Sequence, residues 1–453
     1  MKTTRLMITG VALSLALITG LSYVGCGGSK SSSGSSVDTT AKITISGTLA
    51  GGTHAKIKSL NFFDRFFARL FSAPALCALT AADVAKVIGF NQRGSYFITT
   101  VDENDTFSIQ VDQGYPTALI FIDAADHYLG YLTLSNGIDS LPLAKLADTV
   151  TMTEFAAIDL ETLSSSGVIV TPLHNPIGSE LPLTAEEQTA IAQGDDFFAA
   201  IIKNTDVDNN GTIDLLQGKF YRPFIMYFVD AGNFGGGLTP AVITPANITG
   251  FRFNASIYEE GVTSFPPTVT FTGPGGSGLS GQTNDAAPQT QTSQALYGAP
   301  YVTSPAIPPA GAYTVTYNAT PLVFNIPAQS AAISNIVMAV PTITLTGANA
   351  IESINWVYKL GNGDAAAIDP RTMIEYIEIQ INGSGTQYDP SYSQGATRLY
   401  NSANFAPATL THTLPLTSVS GAAWSIPWAN VTNISLVYND IFGNHYVVDW
   451  TKP

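Results

Sequence analysis

Oxygen-bearing side chains alternate along residues 206–214, which read DVDNNGTID. Hard cations such as Ca²⁺ bind about six to eight oxygen atoms, and alternate residues of a bent loop can aim their oxygens at one centre. Gly211 permits the sharp bend, and Ile213 can turn inward and fasten the loop to a core. The predicted metal ligands are Asp206, Asp208, Asn210, Thr212 through its backbone carbonyl, Asp214 and Gln217.

The same stretch resembles the calcium-binding loops of EF-hand and dockerin domains, and the resemblance implies a Ca²⁺ site. At the twelfth position, where an EF-hand has a bidentate Glu, this loop has Gln217, whose amide offers a single neutral oxygen. We therefore expect weak binding, with a dissociation constant of roughly 10⁻⁴ to 10⁻³ M, as in extracellular structural sites. The alternative is an acidic turn, rich in Asp and Asn, that holds no metal.

A short helical segment over residues 181–220 is predicted to carry this loop. Thr184 is a suitable N-cap, and Glu187, three residues later, completes a capping box. The helix is expected to run to about Lys203 and to lead directly into the loop.

The amino terminus has the pattern of an exported leader. A basic start precedes an apolar run at residues 6–21, and the small residue Gly25 stands directly before Cys26. The placement of the cysteine resembles a lipobox, in which a signal peptidase cuts before a lipid-modified Cys, although Tyr23 stands where that pattern usually has Leu. The resemblance implies a signal peptide over residues 1–25 and a lipid on Cys26. An uncleaved anchor or a plain secretory signal is the alternative.

Residues 26–40 are rich in Gly and Ser, as is typical of a flexible tether. Such a tether would let a folded body stand off the membrane. Gly27 after the cysteine resembles the pattern that sorts lipoproteins to the bacterial outer membrane, and the periplasmic or surface face stays open. Because an exported compartment offers steady calcium, we expect a structural ion rather than a signalling one.

The composition excludes several function classes. The chain of 453 residues has a formal net charge of -15, and such an acidic surface repels phosphate backbones, which argues against nucleic-acid binding. A lipid on Cys26 would leave Cys77 without a partner in the chain, so a disulfide framework is excluded. The sequence has no C-x-x-C-H stretch and no G-x-x-x-x-G-K motif, so we expect neither haem nor nucleotide.

Short apolar runs between turn-forming residues predict a mainly β fold of tandem β-sandwich domains, interrupted by the helical segment with its calcium-binding-type loop. Residues 101–134 contain a turn, an F-x-I strand and a G-Y-x-hydrophobic strand. They resemble the carboxypeptidase-regulatory-like (transthyretin-like) β-sandwich, which implies a noncatalytic module over residues 41–180. Strand patterns further on predict one β-sandwich over residues 221–346 and an immunoglobulin- or fibronectin-like one over residues 347–453, with a single larger sandwich as the alternative.

An aromatic and basic helix is predicted as an insertion near residues 57–79. Its apolar residues recur at helical spacing, and its basic residues stand out in an acidic chain. The helix could lie on the membrane close to the lipid anchor, or it could pack its aromatic rings on the edge of the sandwich, which we favour. The candidate membrane-contact residues are Phe63, Arg65, Phe66, Phe67, Arg69 and Leu70.

Enzyme motifs are missing from the sequence. The five histidines are scattered singly, and neither H-E-x-x-H nor G-x-S-x-G occurs. Trp424 and Trp428 flank a short loop and could bind carbohydrate, with core packing as the alternative use. We therefore expect a noncatalytic binding or scaffolding lipoprotein of the cell envelope, with envelope proteins or glycans as partners. The alternative is a polysaccharide-active enzyme or a carbohydrate-binding accessory protein.

Overall fold

The computed structural model of the chain is mainly β, which confirms the fold class predicted from the sequence. Within the described part, no helix is both long enough and apolar enough to cross a membrane. The leader and tether with Cys26, the insertion near residues 57–79 and Trp424 lie outside the described residues, as does the predicted helix except for Ala185. The structure describes residues 42–50, 84–91, 96–112, 117–132, 152–159, 169–172, 185, 205–235, 239–240, 247–329, 337–360, 374–383, 411–415, 427–440 and 443–452.

The first sheet contains eight strands in the order β3-β2-β5-β6-β8-β7-β1-β4. The pairs β1–β7 and β6–β8 are parallel, and the other neighbours are antiparallel. The strands are β1 (Lys42–Ala50), β2 (Lys86–Asn91), β3 (Tyr96–Thr100), β4 (Thr106–Asp112), β5 (Thr117–Ile122), β6 (Tyr128–Leu132), β7 (Met152–Asp159) and β8 (Ile169–Pro172).

Strand β4 packs over the opposite part of this sheet. Its alternating sequence buries Phe107, Ile109 and Val111 on one face. The ring of Phe107 meets that of Phe121 on β5 edge to face, with centroids 6.4 Å apart. A Cβ atom added at Gly89 on β2 would lie only 2.6 Å from a Val111 methyl carbon, so the Val111 side chain packs in the space that a larger residue at position 89 would need. The sheet therefore folds over its own core in the manner of a sandwich.

The second sheet joins strands from widely separated parts of the sequence, in the order β14-β15-β11-β9-β23-β22-β20. Its strands are β9 (Lys219–Gly235), β11 (Ile248–Glu259), β14 (Gln289–Gln291), β15 (Gln294–Gly298), β20 (Ile374–Gly383), β22 (Val431–Asp440) and β23 (His445–Thr451), and the short β10 (Thr239–Pro240) pairs with β9.

Strand β23 runs parallel to β9, with Tyr446 in register with Tyr227 and the two rings stacked 5.2 Å apart. Strands from residues 221–346 and from residues 347–453 thus lie in one sheet. A sheet that contains strands from both ranges is what the alternative of a single larger sandwich after residue 220 would require. The domain boundaries themselves stay a prediction.

Two smaller sheets complete the described fold. The four-stranded sheet has the order β13-β12-β16-β17, and the three-stranded sheet has the order β18-β19-β21. Phe253 on β11 stacks on Tyr313 on β16 with centroids 4.8 Å apart, so the four-stranded sheet forms a second layer on the second sheet. The strands are β12 (Thr270–Thr272), β13 (Ser280–Thr283), β16 (Gly311–Tyr317), β17 (Thr320–Ile326), β18 (Val337–Leu345), β19 (Ile351–Leu360) and β21 (Thr411–Pro415).

The loop at residues 206–217, here called the Asp loop, is fastened where β9 begins. Its apolar residues Val207, Ile213 and Leu215 are buried in the same core cluster as the first sheet and β9. Phe220, at the start of β9, meets Phe90 on β2 edge to face, with centroids 5.3 Å apart. The Asp loop is therefore anchored beside the junction between the first and the second sheet.

Candidate metal centre

Three carboxylates of the Asp loop converge in the structure. Asp206, Asp208 and Asp214 each offer one oxygen, and these oxygens all lie within 4.8 Å of one another. The structure thus brings together the three acidic residues that the sequence predicts as metal ligands, and an oxygen group of this kind suits a hard cation.

The loop bends because its first aspartate binds the backbone ahead of it. Asp206 Oδ1 accepts a hydrogen bond from the Asn210 N–H at 2.9 Å, and Oδ2 accepts one from the Gly211 N–H at 2.8 Å. Gly211 has φ +88°, in the left-handed region, and a Cβ atom there would meet nothing within 4 Å. Glycine is therefore required by the backbone conformation and not by lack of space.

Asp214 is the most buried of the three acids, with 4% of its surface exposed. It begins the 3₁₀ helix Asp214–Gln217, and its Oδ2 accepts a hydrogen bond from the Val207 N–H at 2.8 Å. Its Oδ1 is buried and has no hydrogen-bond partner among the described residues. Burial, with a smaller contribution from the nearby charges of Asp208 and Asp206, raises the pKa of Asp214 to about 7, although the Val207 hydrogen bond acts in the opposite direction.

A buried carboxylate oxygen without a partner, next to two further carboxylates, is a costly arrangement that a bound cation would relieve. This oxygen is independent evidence for a ligand, because acidic residues on a solvated surface do not need one. The geometry therefore fits a metal ion at the position predicted from the sequence.

Two uncharged oxygens of the Asp loop accept hydrogen bonds from the side-chain amide of Gln217. Gln217 Nε2 donates to Asn210 Oδ1 at 2.9 Å and to the Thr212 carbonyl oxygen at 3.2 Å. Two of the predicted ligand oxygens therefore converge on one donor atom. An ion bound by these oxygens would replace the Gln217 amide as their positive partner, and rotation of that amide would turn its own oxygen inward.

Lys219 lies outside the ligand pattern that the sequence predicts. Its Nζ lies 3.1 Å from Asp208 Oδ2, and the Asp208 side chain is only 9% exposed. The residue comes directly after Gly218, which has φ +70° and ends the 3₁₀ helix. The only sequence signal was a lysine placed two positions after the last predicted ligand.

The predicted carbohydrate-binding residue Trp428 lies at the start of the 3₁₀ helix Trp428–Asn430 and is half-buried. Lys452 Nζ donates to the Trp428 carbonyl oxygen at 2.6 Å and lies 5.1 Å from the centroid of its ring. This arrangement is a cation–π contact. A role in glycan binding stays a prediction.

A buried histidine outside the Asp loop belongs to the framework of the second sheet. His445 on β23 stacks on Phe224 on β9, with centroids 4.3 Å apart. Burial, helped by the nearby charge of Arg222, holds the pKa of His445 well below its usual range. The imidazole is therefore neutral at pH 7.

No protein-family profile and no curated protein matches the sequence. Among solved structures, a tetra-tandem repeat in the extending region of a large adhesion protein is 8% identical, with 83% of this chain and 68% of that chain covered and a TM-score of 0.14. A Ca²⁺-stabilised adhesin that helps an Antarctic bacterium reach out and bind ice is 12% identical over 82% of this chain and 65% of that chain, with a TM-score of 0.13. A structure related to host cell surface retention of a 1.5-MDa bacterial ice-binding adhesin is 11% identical over 82% of this chain and 86% of that chain, again with a TM-score of 0.13. TM-scores this low fall short of a shared fold.

Proposed function

We propose that this chain is a lipoprotein of the bacterial cell envelope, anchored through Cys26, whose β-rich body is a noncatalytic binding or scaffolding module braced by one structural Ca²⁺ ion. The observation that carries the proposal is the convergence of three carboxylates in the Asp loop, one of them buried with an unpartnered oxygen. The leader pattern and the Gly/Ser tether support the location.

The donor set favours calcium over other metals. The predicted ligands in the Asp loop are carboxylate, amide and backbone carbonyl oxygens, whereas zinc and copper sites in proteins usually include imidazole or thiolate. Mg²⁺ demands a nearly ideal octahedral geometry and keeps several waters, whereas Ca²⁺ accepts the irregular oxygen set of a bent loop. The ion is therefore proposed to be Ca²⁺.

The burial of the loop supports a structural role for the ion. Val207 and Ile213 stand between the ligands and are buried in the core, so the ion and the core hold the same short segment in place. Any ion that binds only the folded state stabilises it by an amount set by its concentration relative to its dissociation constant. A weak site suffices where calcium is abundant and steady, as it is outside the cell.

Removal of one ligand tests the calcium site. In thermal melts of the full chain in detergent, Asp206→Ala should lower the melting temperature more in calcium than in chelator. At calcium about ten times the dissociation constant, the extra loss corresponds to about 1.4 kcal/mol. A part of the loss is common to both conditions, because Asp206 also accepts two backbone N–H bonds.

Asp102→Ala is the matched control for that common part. Asp102 Oδ1 likewise accepts two backbone N–H bonds, from Asn104 and Thr106, each at 2.9 Å, in a turn of the first sheet. The control should lower the melting temperature equally in calcium and in chelator. If Asp206→Ala behaves in the same way, the loop does not bind calcium.

Two further experiments test the envelope role. Cys26→Ala should prevent incorporation of a labelled fatty acid and leave the leader uncleaved, and a variant that stays lipid-modified would contradict the anchor. Crosslinking in intact cells, followed by identification of the linked molecules, should recover envelope proteins or glycans. Hydrolysis of a polysaccharide that is abolished by a carboxylate substitution would contradict the noncatalytic role.

A further inference from the structure

We infer that Lys219 is a built-in counter-cation of the Asp loop, which competes with Ca²⁺ for Asp208 and thereby sets the affinity of the site. The inference rests on the proposed calcium binding and adds a residue that lies outside the ligand pattern. It starts from the ion pair between Lys219 Nζ and Asp208 Oδ2 at 3.1 Å.

The ammonium group and a calcium ion compete for the same charge. A Ca²⁺ ion bound by the loop would lie about 2.3–2.6 Å from each ligand oxygen. The oxygens of Asp206, Asp208 and Asp214 all lie within 4.8 Å of one another, so an ion among them would be close to the lysine nitrogen. Two positive charges that close together repel strongly in a partly buried site. Calcium binding must therefore weaken the Lys219–Asp208 pair or move the lysine away.

The structure offers a second acceptor for the displaced lysine. Glu259 on β11 lies directly opposite Lys219 in the antiparallel β9–β11 pair, and side chains opposite one another point to the same face. The Glu259 carboxylate accepts hydrogen bonds from Tyr221 OH at 2.9 Å and from Tyr317 OH at 3.1 Å, and both tyrosines are neutral donors. Its negative charge is therefore available to the ammonium group on the face that Lys219 shares.

The same lysine supports the loop in the absence of calcium. Without Lys219, the Asp206, Asp208 and Asp214 side chains would have no lysine charge beside Asp208 to offset the repulsion among their ionised forms. Loss of this charge should have opposite consequences in the two states. The metal-free protein should become less stable, and the affinity for calcium should rise.

Calcium titration of charge-changing variants tests the inference. By isothermal titration of the full chain in detergent with CaCl₂ at constant ionic strength, Lys219→Met should lower the dissociation constant by roughly tenfold. Lys219→Gln tests the same loss of charge with a polar side chain, should Lys219→Met fold poorly. Lys219→Arg keeps the charge and should stay within about threefold of the unmodified protein.

Lys86→Met is the matched control, because Lys86 also pairs with an aspartate, Asp126, but on the first sheet. It should leave the calcium dissociation constant unchanged. If the unmodified protein binds calcium and neither uncharged variant of Lys219 binds it more tightly, the inference is overturned while the proposed calcium site stands. If the unmodified protein and both uncharged variants all fail to bind calcium, the calcium site itself is wrong.

Discussion

Replacement of Asp214 by asparagine separates the cost of burying its charge from its value as a metal ligand. Burial raises the pKa of this carboxyl from its ordinary value of 3.8 to about 7. Each pKa unit corresponds to about 1.4 kcal/mol, so the ionised carboxylate destabilises the metal-free fold by up to ~4 kcal/mol at pH 8. An asparagine has nearly the same shape and no charge. Its carbonyl can still accept the Val207 N–H bond, with a loss of about 1 kcal/mol because the acceptor is neutral.

The buried NH₂ group of the asparagine would lack a hydrogen-bond partner, at a further cost of at least about 1 kcal/mol. In chelator at pH 8, Asp214→Asn should therefore be more stable than the unmodified protein, by up to ~2 kcal/mol. In calcium at about ten times the dissociation constant, the unmodified protein should gain about 1.4 kcal/mol, whereas the variant should gain almost nothing. Urea unfolding of both proteins under both conditions measures these differences. The two results together distinguish a ligand from a residue that is merely buried.

The pH dependence gives the same test a second readout. The unfolded chain releases the Asp214 proton near pH 3.8 and the folded metal-free chain near pH 7, so this group makes the folded state less stable as the pH rises through that window. Calcium should flatten this part of the profile, because it stabilises the ionised form. Asp214→Asn should flatten it with or without calcium.

Asp449→Asn provides the control for this prediction. Burial also raises the pKa of Asp449, which accepts a hydrogen bond from the Ser435 hydroxyl on the second sheet. Its replacement should change stability equally in calcium and in chelator. The reasoning about Asp214 is refuted if calcium stabilises Asp214→Asn as much as the unmodified protein, or if the variant is the less stable of the two in chelator at pH 8.

Three further predictions concern backbone, packing and titration. Gly211→Ala should lower stability by about 1 kcal/mol in a urea melt through its φ of +88°, whereas Gly275→Ala, with open space and no positive φ, should change little. Gly89→Ala should cost about 1–3 kcal/mol, measured in the same way, because its new Cβ would meet the Val111 methyl carbon at 2.6 Å. Because the pKa of His445 is lowered in the folded chain, only the unfolded chain takes up this proton as the pH falls below about 6.5, so the free energy of unfolding should decrease there. His445→Gln should make the free energy of unfolding less dependent on pH in this range, as measured by urea melts at several pH values.

The convergence of Asp206, Asp208 and Asp214 could be predicted from the sequence because the three residues are close neighbours along the chain, and their role as metal ligands stays a prediction. A turn of this kind is closed by hydrogen bonds between residues four or five positions apart, such as those from Asp206 to Asn210 and Gly211. Residues that make such short-range contacts occur at a characteristic spacing in the sequence. The contact of Lys219 with Asp208 has no such signal. It depends on the 3₁₀ helix, on the left-handed turn at Gly218 and on the direction in which β9 leaves that turn.

Strand partners were harder to predict than strands. Alternation identifies a strand such as β4, but it does not say which strand lies beside it. The parallel pair of β9 and β23 joins Tyr227 to Tyr446 across more than two hundred residues of sequence, and nothing near either residue indicates the other. Separate sandwiches at 221–346 and 347–453 would follow if neighbours in sequence paired with one another, which is only the commoner case, and the alternative of a single larger sandwich needs distant pairs such as this one.

The weak twelfth ligand and the buried Asp214 have one physical explanation. An EF-hand gains much of its affinity from the bidentate Glu at that position, and here Gln217 supplies none of that charge. The loop instead places one carboxylate where water does not reach its free oxygen, so a bound cation removes a penalty that the fold otherwise carries. Under the inferred competition, Lys219 would offset part of this penalty when calcium is low and would lower the affinity for calcium. If the proposed calcium site is correct, the ion should stabilise the loop most where calcium is plentiful.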